Sequence, residues 1–123
     1  MTITAYTLAV VLNVFCLFLG YRFLFQPAAA AAGYGVPADP GGDAGAYLAV
    51  KGVRDGTLGL VGLALLAFAG VRAEAGFMLA VALVPLGDTL LVLRHGGTKA
   101  VAFGIHFATA VVVLIGAGLL FAL

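Results

Sequence analysis

Two aspartates and a histidine lie inside long apolar stretches of this sequence. Asp55 follows Lys51 and Arg54 in "KGVRDGTLGL", Asp88 stands in "VPLGDTLLVL", and His106 stands in "AFGIHFATA". Carboxyl and imidazole side chains are the usual proton donors and acceptors of enzymes. Two carboxyl groups in different surroundings can divide the work, because one then activates water while the other protonates a departing oxygen. These residue types therefore predict acid–base chemistry at a site within the apolar part of the chain.

The composition indicates that this apolar part lies in a membrane. The chain has 123 residues, of which 64% are hydrophobic and 9% charged. Soluble proteins are about 45–50% apolar and about 25% charged, and a chain this short could not bury so much apolar surface in a core of its own. The formal net charge is +1 and there is no basic run, so nucleic acid is not an expected partner. The expected solvent is lipid.

Four apolar segments predict the fold class. Each is near the roughly 20 residues that span a bilayer as a helix, and backbone groups in lipid must be hydrogen-bonded within such a segment. We expect an all-α integral membrane protein, an up-down bundle of four transmembrane helices forming a single domain over residues 1–123. The predicted helices are 3–25, 46–69, 75–93 and 98–123.

The connections predict the topology. Residues 26–45 are rich in Gly, Pro and Ala and could lie over the end of the bundle as a lid, whereas "GVRAEA" and "RHGGTK" are expected to be tight turns. Five of the six basic residues lie near the end that carries the first and third connections: Arg22, Lys51, Arg54, Arg94 and Lys99. The positive-inside rule then predicts a multi-pass protein of the cell membrane with both termini outside the cytoplasm.

The second helix is expected to direct a polar face inward. At 100° per residue, Tyr47, Lys51, Arg54 and Asp55 fall within an arc of about 100°. Arg54 is expected to pair with Asp55 and offset the cost of burying its charge, about 2.5–3.5 kcal/mol near mid-membrane. The alternative interpretation is an ordinary interfacial helix end, whose basic side chains reach toward lipid headgroups.

A glycine stripe adjoins this polar face. Gly52, Gly56 and Gly59 recur at helical spacing, and small residues let a neighbouring helix approach closely. We therefore expect a neighbouring helix to pack against this stripe.

Up-down topology brings the ionisable groups to a similar depth. Asp55 is about 13 Å from the start of its helix, Asp88 about 9 Å from the end of its own, and His106 about 12 Å from the start of the fourth. The predicted catalytic residues are Asp55, Asp88, Arg54 and His106, and the predicted substrate-binding residues are Tyr47, Lys51, Asn13 and Thr109. Arg22 is expected to point away from Asn13. The alternative is a structural network, in which Arg54 and Asp88 pair only to lock the bundle.

The chain also resembles a known family. The stretches that carry the resemblance are "GYRFLFQP", "KGVRDGTLGL", "PLGDTLLVLRHG" and "AFGIH". They are similar to a family of small bacterial and fungal integral membrane proteins known as a domain of unknown function. Some fungal members are labelled as epoxide hydrolases, so the resemblance implies ring opening of an epoxide, which would map onto Arg54, Asp55, Asp88 and His106.

Three functions are compatible with these observations. The first is a membrane-embedded acid–base enzyme acting on a lipophilic small molecule without a cofactor, with Asp55 as the base and Asp88 or His106 as the acid. The second is a small proton-coupled transporter acting as a homodimer, although the first helix has no acidic residue. The third is a non-catalytic subunit that binds membrane lipid through its basic residues. A metal site is least expected, because no H-x-x-H or H-E-x-x-H spacing is present.

Overall fold

The computed structural model describes residues 1–123 and consists of helices and short connections, with no strand. Four helices are long and apolar enough to cross a membrane, so the predicted fold class is confirmed. A fifth, short helix lies in the first connection. The helices are α1 (Thr2–Phe25), α2 (Pro27–Tyr34), α3 (Ala44–Ala69), α4 (Val71–Arg94) and α5 (Lys99–Phe121).

The connection between α1 and α3 is less of a loop than its composition suggests. Pro27 occupies the first turn of α2, where its missing N–H costs no helical hydrogen bond. Ala30 and Ala31 are buried against the end of the bundle. The first half of the predicted loop is therefore a helix that covers one end of the bundle.

The connection between α3 and α4 is shorter than the predicted turn "GVRAEA". Gly70 alone reverses the chain with a φ of 94°, a backbone conformation that glycine adopts without strain. Helix α4 therefore begins at Val71 rather than at residue 75, and Glu74 lies inside it.

Two helices contain a wider, π-helical turn. Residues Leu65–Ala69 form one at the end of α3, and Ala102–Phe107 form another in α5. Such bulges are frequently found at functional sites, because the extra residue re-aims the side chains around it. The second bulge contains His106.

Small residues set the packing of the bundle. Ala5 and Ala9 of α1 meet Ala75 and Met78 of α4 in the main apolar core, which α5 completes. Large apolar side chains such as Phe68 remain exposed on the outside, as expected for a surface that faces lipid.

Helices α1 and α3 pack along glycines. A Cβ on Gly20 would lie 2.6 Å from the backbone nitrogen of Gly56, and Gly52 and Gly59 also leave no room for one. Gly56 differs from the other two glycines of the predicted stripe, because a Cβ added there would meet nothing within 4 Å. The stripe thus faces α1. Gly52 and Gly59 leave no room for a Cβ, whereas Gly56 contacts α1 through its backbone only.

Candidate functional site

A cavity of about 360 Å³ opens inside the bundle toward the end covered by α2. Its walls are mostly apolar and come from all four membrane-spanning helices and from α2. The structure brings Asp55, Asp88 and His106 together on these walls. Five further polar or basic side chains line the same cavity, namely Asn13, Arg22, Tyr34, Lys51 and Thr109.

Asp55 is paired with Lys51 rather than with Arg54. The ammonium Nζ of Lys51 lies 3.1 Å from Asp55 Oδ2, whereas Arg54 is exposed on the outside of α3. Side chains four residues apart lie one above the other on a helix, while adjacent ones diverge by about 100°. The expected pairing of Arg54 with Asp55, and the alternative pairing of Arg54 with Asp88, are therefore wrong.

One oxygen of Asp55 has no hydrogen-bond partner although it is buried. This atom is Oδ2, and Lys51 approaches it at ion-pair distance without the alignment of a directed hydrogen bond. The close polar contact of this oxygen is therefore the ammonium group of Lys51.

Lys51 is itself held by aromatic rings. Its Nζ lies 4.9 Å from the ring centre of Phe23 and 5.1 Å from that of Tyr34. Both distances fall within the range of cation–π attraction, about 6 Å. The cation beside Asp55 is therefore fixed by α1 and α2 as well as by its own helix.

Tyr47 does not reach the site. Its side chain is 77% exposed and does not line the cavity. Asp55 follows Tyr47 by eight positions, which rotates the side chain by about 80° around the helix and is enough to turn Tyr47 outward. The predicted substrate-binding role of Tyr47 therefore has no support in the geometry.

Asp88 is bonded to a residue that the sequence analysis did not select. The hydroxyl of Tyr34 donates a hydrogen bond to Asp88 Oδ1 at 2.7 Å. Burial raises the pKa of the Tyr34 hydroxyl, and the hydrogen bond to Asp88 raises it further. Tyr34 thus keeps its proton and remains a donor at physiological pH.

His106 faces Asp88 with a defined tautomer. Its Nε2 lies 2.6 Å from the carbonyl oxygen of Tyr34, and because a carbonyl oxygen only accepts, Nε2 carries the proton. The other nitrogen, Nδ1, lies 4.0 Å from Asp88 Oδ2. This gap is too long for a direct hydrogen bond, so Nδ1 and Asp88 both remain available to a molecule in the cavity.

Asn13 is engaged with a second buried carboxyl group. Its Nδ2 donates to Glu74 Oε1 at 2.6 Å and to the carbonyl oxygen of Ala9 at 3.0 Å. Both amide hydrogens are therefore used inside the bundle, although Asn13 lines the cavity. Glu74 is 0% exposed and its Oε2 has no hydrogen-bond partner. Glu74 was not among the expected site residues, because "GVRAEA" predicted a turn at this position.

The remaining two polar side chains on the cavity wall, Thr109 and Arg22, differ in whether they already have a partner. Thr109 lines the cavity, but its hydroxyl donates to the carbonyl oxygen of Ile105 in its own helix at 2.6 Å. Arg22, expected to point away from the site, lines the cavity and forms no ion pair. Helical periodicity was misleading here, because nine residues place Arg22 about 180° from Asn13 around the helix, yet both residues line the cavity.

Residues 13–120 match a family described as Domain of unknown function (DUF4267). The chain belongs to this family. No curated protein and no solved structure matches the chain. Membership of the DUF4267 family brings no activity with it, so epoxide chemistry stays a prediction.

The arrangement suits proton transfer within an apolar enclosure. A carboxyl group with its own cation stands on α3, and a second carboxyl group with a tyrosine and a histidine stands across from it on α4, α2 and α5. No three side chains of His, Cys, Asp or Glu come close enough together to share a metal ion.

Proposed function

We propose that this DUF4267 protein is a membrane-embedded hydrolase that adds water to an epoxide of a lipophilic small molecule. One observation carries the proposal: Asp55, which is paired with Lys51, and the Tyr34–Asp88–His106 group line the same apolar cavity. One side of the cavity can accept a proton and the other can supply one. The choice of an epoxide rests on the resemblance described above.

The proposed reaction begins at Asp55. Its carboxylate accepts a proton from a water molecule in the cavity, and the water oxygen attacks one carbon of the epoxide. The carbon–oxygen bond to that carbon breaks, and the ring oxygen takes a proton from Asp88. A vicinal diol results, with the elements of one water added. The proton on Asp55 then returns to Asp88 through water, which restores both groups.

Each neighbour has a defined part in this reaction. Lys51 favours the charged form of Asp55 by ion pairing. Because Asp88 Oδ1 accepts the hydrogen bond from Tyr34, the transferable proton sits on Oδ2, the oxygen that faces His106. His106 Nδ1 is the other candidate to carry this proton. A soluble enzyme that hydrolyses epoxides with an Asp–Arg–Asp set offers an analogy of chemistry, not of fold.

The apolar walls favour a lipophilic substrate. Small-molecule sites are mostly apolar, with a few polar groups that fix orientation, and this cavity has that character. Charges also interact more strongly where water is excluded. A substrate dissolved in the bilayer could therefore reach Asp55 and Asp88 without passing through bulk water.

The test is turnover by variants that keep the shape of the carboxyl groups. Asp55→Asn and Asp88→Asn should each lower the rate of diol formation at least 100-fold, the lower range for general acid or base catalysis. Asp43→Asn, at an exposed aspartate outside the cavity, is the matched control and should retain activity. A panel of lipophilic epoxides would be assayed in proteoliposomes by mass spectrometry in ¹⁸O-labelled water. Full activity in both active-site variants would contradict the proposal.

A second candidate function is proton-coupled transport by a homodimer. Glu74 favours it, because a fully buried carboxyl group without a basic partner lies near the opposite end of the bundle from Asp88. Ionisable groups within membrane spans commonly mark proton pathways. Uptake of a lipophilic cation into vesicles, driven by a proton gradient and lost in both Asp55→Asn and Glu74→Gln, would favour transport over hydrolysis.

We further propose that the protein lies in the cell membrane with both termini outside the cytoplasm. Arg54, Arg94 and Lys99 are exposed at the end of the bundle covered by α2, and Arg72 is exposed near the other end. Basic residues favour the cytoplasmic side. A C-terminal alkaline phosphatase fusion should be active and a C-terminal GFP fusion dark, and the reverse pattern would invert the topology.

A further inference from the structure

We infer that the cavity takes an amphipathic substrate with an anionic group, which binds Arg22, and an apolar tail, which lies along α1. The inference rests on the proposed function, epoxide hydrolysis, and adds to it the chemical class of the substrate. Its starting point is the position of Arg22 on the cavity wall without an acidic partner.

The guanidinium of Arg22 is free to bind a ligand. Arg22 is half-buried, and none of its nitrogens forms a side-chain hydrogen bond or an ion pair within the chain. Arginine presents several N–H donors in a planar fork that fits a carboxylate or a phosphate. The other basic residue on the cavity wall, Lys51, is already paired with Asp55.

The charges on the wall favour an anion. Lys51 is paired with Asp55, and Asp88 accepts the hydrogen bond from Tyr34. Arg22 is the basic group on the wall that has no acidic partner, in surroundings that make electrostatic interactions strong. A bound anion would neutralise it.

The apolar part of α1 is placed to hold the tail. Leu12, Cys16 and Leu19 line the cavity together with Phe15, and these side chains precede Arg22 at intervals of three or four residues. Such spacing puts them on one face of the helix. From Leu12 to Arg22 the face is about 15 Å long, which suits a single alkyl chain of moderate length.

The anionic group would lie close to the reacting carbon. Gly20 of α1 packs against Gly52 and Gly56 of α3, so Arg22 is level with the turns of α3 that carry Lys51 and Asp55. A substrate held at Arg22 would present to Asp55 an epoxide near its charged end.

A carboxylate and a lipid phosphate share the chemistry that Arg22 recognises. We favour the free single-chain acid over a phospholipid headgroup, because about 360 Å³ is at the small end of small-molecule sites and leaves no room for two acyl chains. The binding experiment separates the two sources.

Binding is tested without turnover. The purified protein in nanodiscs would be titrated with dodecanoate and with dodecanol, read by displacement of a fluorescent fatty-acid probe. Dodecanoate should bind at least tenfold more tightly than dodecanol. That preference should disappear in Arg22→Gln and persist in Arg94→Gln, a matched change at an exposed arginine on the same end of the bundle.

Two binding results would overturn the inference. One is equal affinity for the acid and the alcohol, or a preference that survives in Arg22→Gln although the variant keeps its melting temperature. The other is displacement of the probe by anionic phospholipid added to the nanodisc but not by dodecanoate, which would identify a headgroup site.

Turnover separates this inference from the proposed function. A medium-chain fatty acid with an epoxide near its carboxylate would be compared with its methyl ester. The acid should have the higher kcat/KM, and Arg22→Gln should remove the difference by raising KM for the acid. Equal kcat/KM values for acid and ester would contradict the inference while leaving hydrolysis intact. Binding of dodecanoate without hydrolysis of any epoxide would instead contradict the proposed function alone.

Discussion

The hydroxyl of Tyr34 donates a hydrogen bond to Asp88 Oδ1 at 2.7 Å and thereby ties α2 to α4. The carbonyl oxygen of the same residue accepts a hydrogen bond from His106, which ties α2 to α5. The helix that covers the cavity is thus held by two of the groups proposed for chemistry. Positioning of the acid and closure of the cavity depend on the same contacts.

Tyr34→Phe should lower stability in a pH-dependent manner. Because burial raises the Tyr34 pKa in the folded protein, the hydroxyl contributes its full stabilisation below the unfolded-state pKa of about 10. This contribution is lost as the pH rises through the folded pKa. At pH 7 the Tyr34→Phe variant should therefore melt at a lower temperature in detergent than the unmodified protein, because it lacks a hydrogen bond worth about 1 kcal/mol. This difference in melting temperature should shrink toward pH 11.

Tyr47→Phe is the control for this prediction. Tyr47 is exposed and donates no side-chain hydrogen bond within the chain, so its change should leave the melting temperature unaltered at either pH. A Tyr34→Phe difference that is the same at pH 7 and pH 11 would mean that the hydroxyl is not the cause.

Lys51 and Arg54 should differ sharply although they lie three residues apart. Lys51→Gln leaves a buried carboxyl group without its cation and should destabilise the protein by about 2 kcal/mol, with a large loss of activity. Arg54→Gln removes an exposed charge and should change neither property measurably. Adding Asp55→Asn to Lys51→Gln should recover much of the stability, since no buried charge then remains unpaired. Additive losses in the double variant would argue against the ion pair.

The fold was predictable because the membrane limits the choices. Backbone N–H and C=O groups in lipid must be hydrogen-bonded within the protein, and a helix satisfies them within its own segment. For four apolar segments of sufficient length, an up-down bundle is then the simplest arrangement. Depth along each helix also placed Asp55, Asp88 and His106 in the same half of the bundle, without any knowledge of side-chain contacts.

The partners of these residues were less predictable. The cation beside Asp55 was wrongly assigned because adjacency in sequence was given more weight than a four-residue helical spacing. Tyr34 was missed because an alanine-rich connection shows no hydrophobic periodicity to mark α2. Glu74 was missed because Gly70 turns the chain in one residue, where a longer turn was expected.

Gly20→Ala should disrupt the α1–α3 contact, whereas Gly56→Ala should be tolerated. A methyl group on Gly20 would lie 2.6 Å from the Gly56 nitrogen and 2.7 Å from the Gly52 oxygen. Both are backbone atoms of a packed helix, which can move away only at a cost in packing energy. We expect a loss of about 1–3 kcal/mol, read as a lower unfolding midpoint in detergent. At Gly56 the added methyl group meets nothing within 4 Å. Equal midpoints for the two variants would show that the helices separate more easily than this packing implies.

The Asn13–Glu74 hydrogen bond gives a last prediction, because it requires an acceptor oxygen at residue 74 but not a charge. Glu74→Gln keeps an oxygen to accept the 2.6 Å hydrogen bond from Asn13 and should preserve the melting temperature. Glu74→Leu leaves the amide of Asn13 without that acceptor and should cost about 1 kcal/mol, a typical upper value for a hydrogen bond between membrane helices. Combining Asn13→Leu with Glu74→Leu removes both polar groups and should restore part of the loss. If Glu74→Gln is as unstable as Glu74→Leu, the charge of Glu74 matters rather than its hydrogen bond.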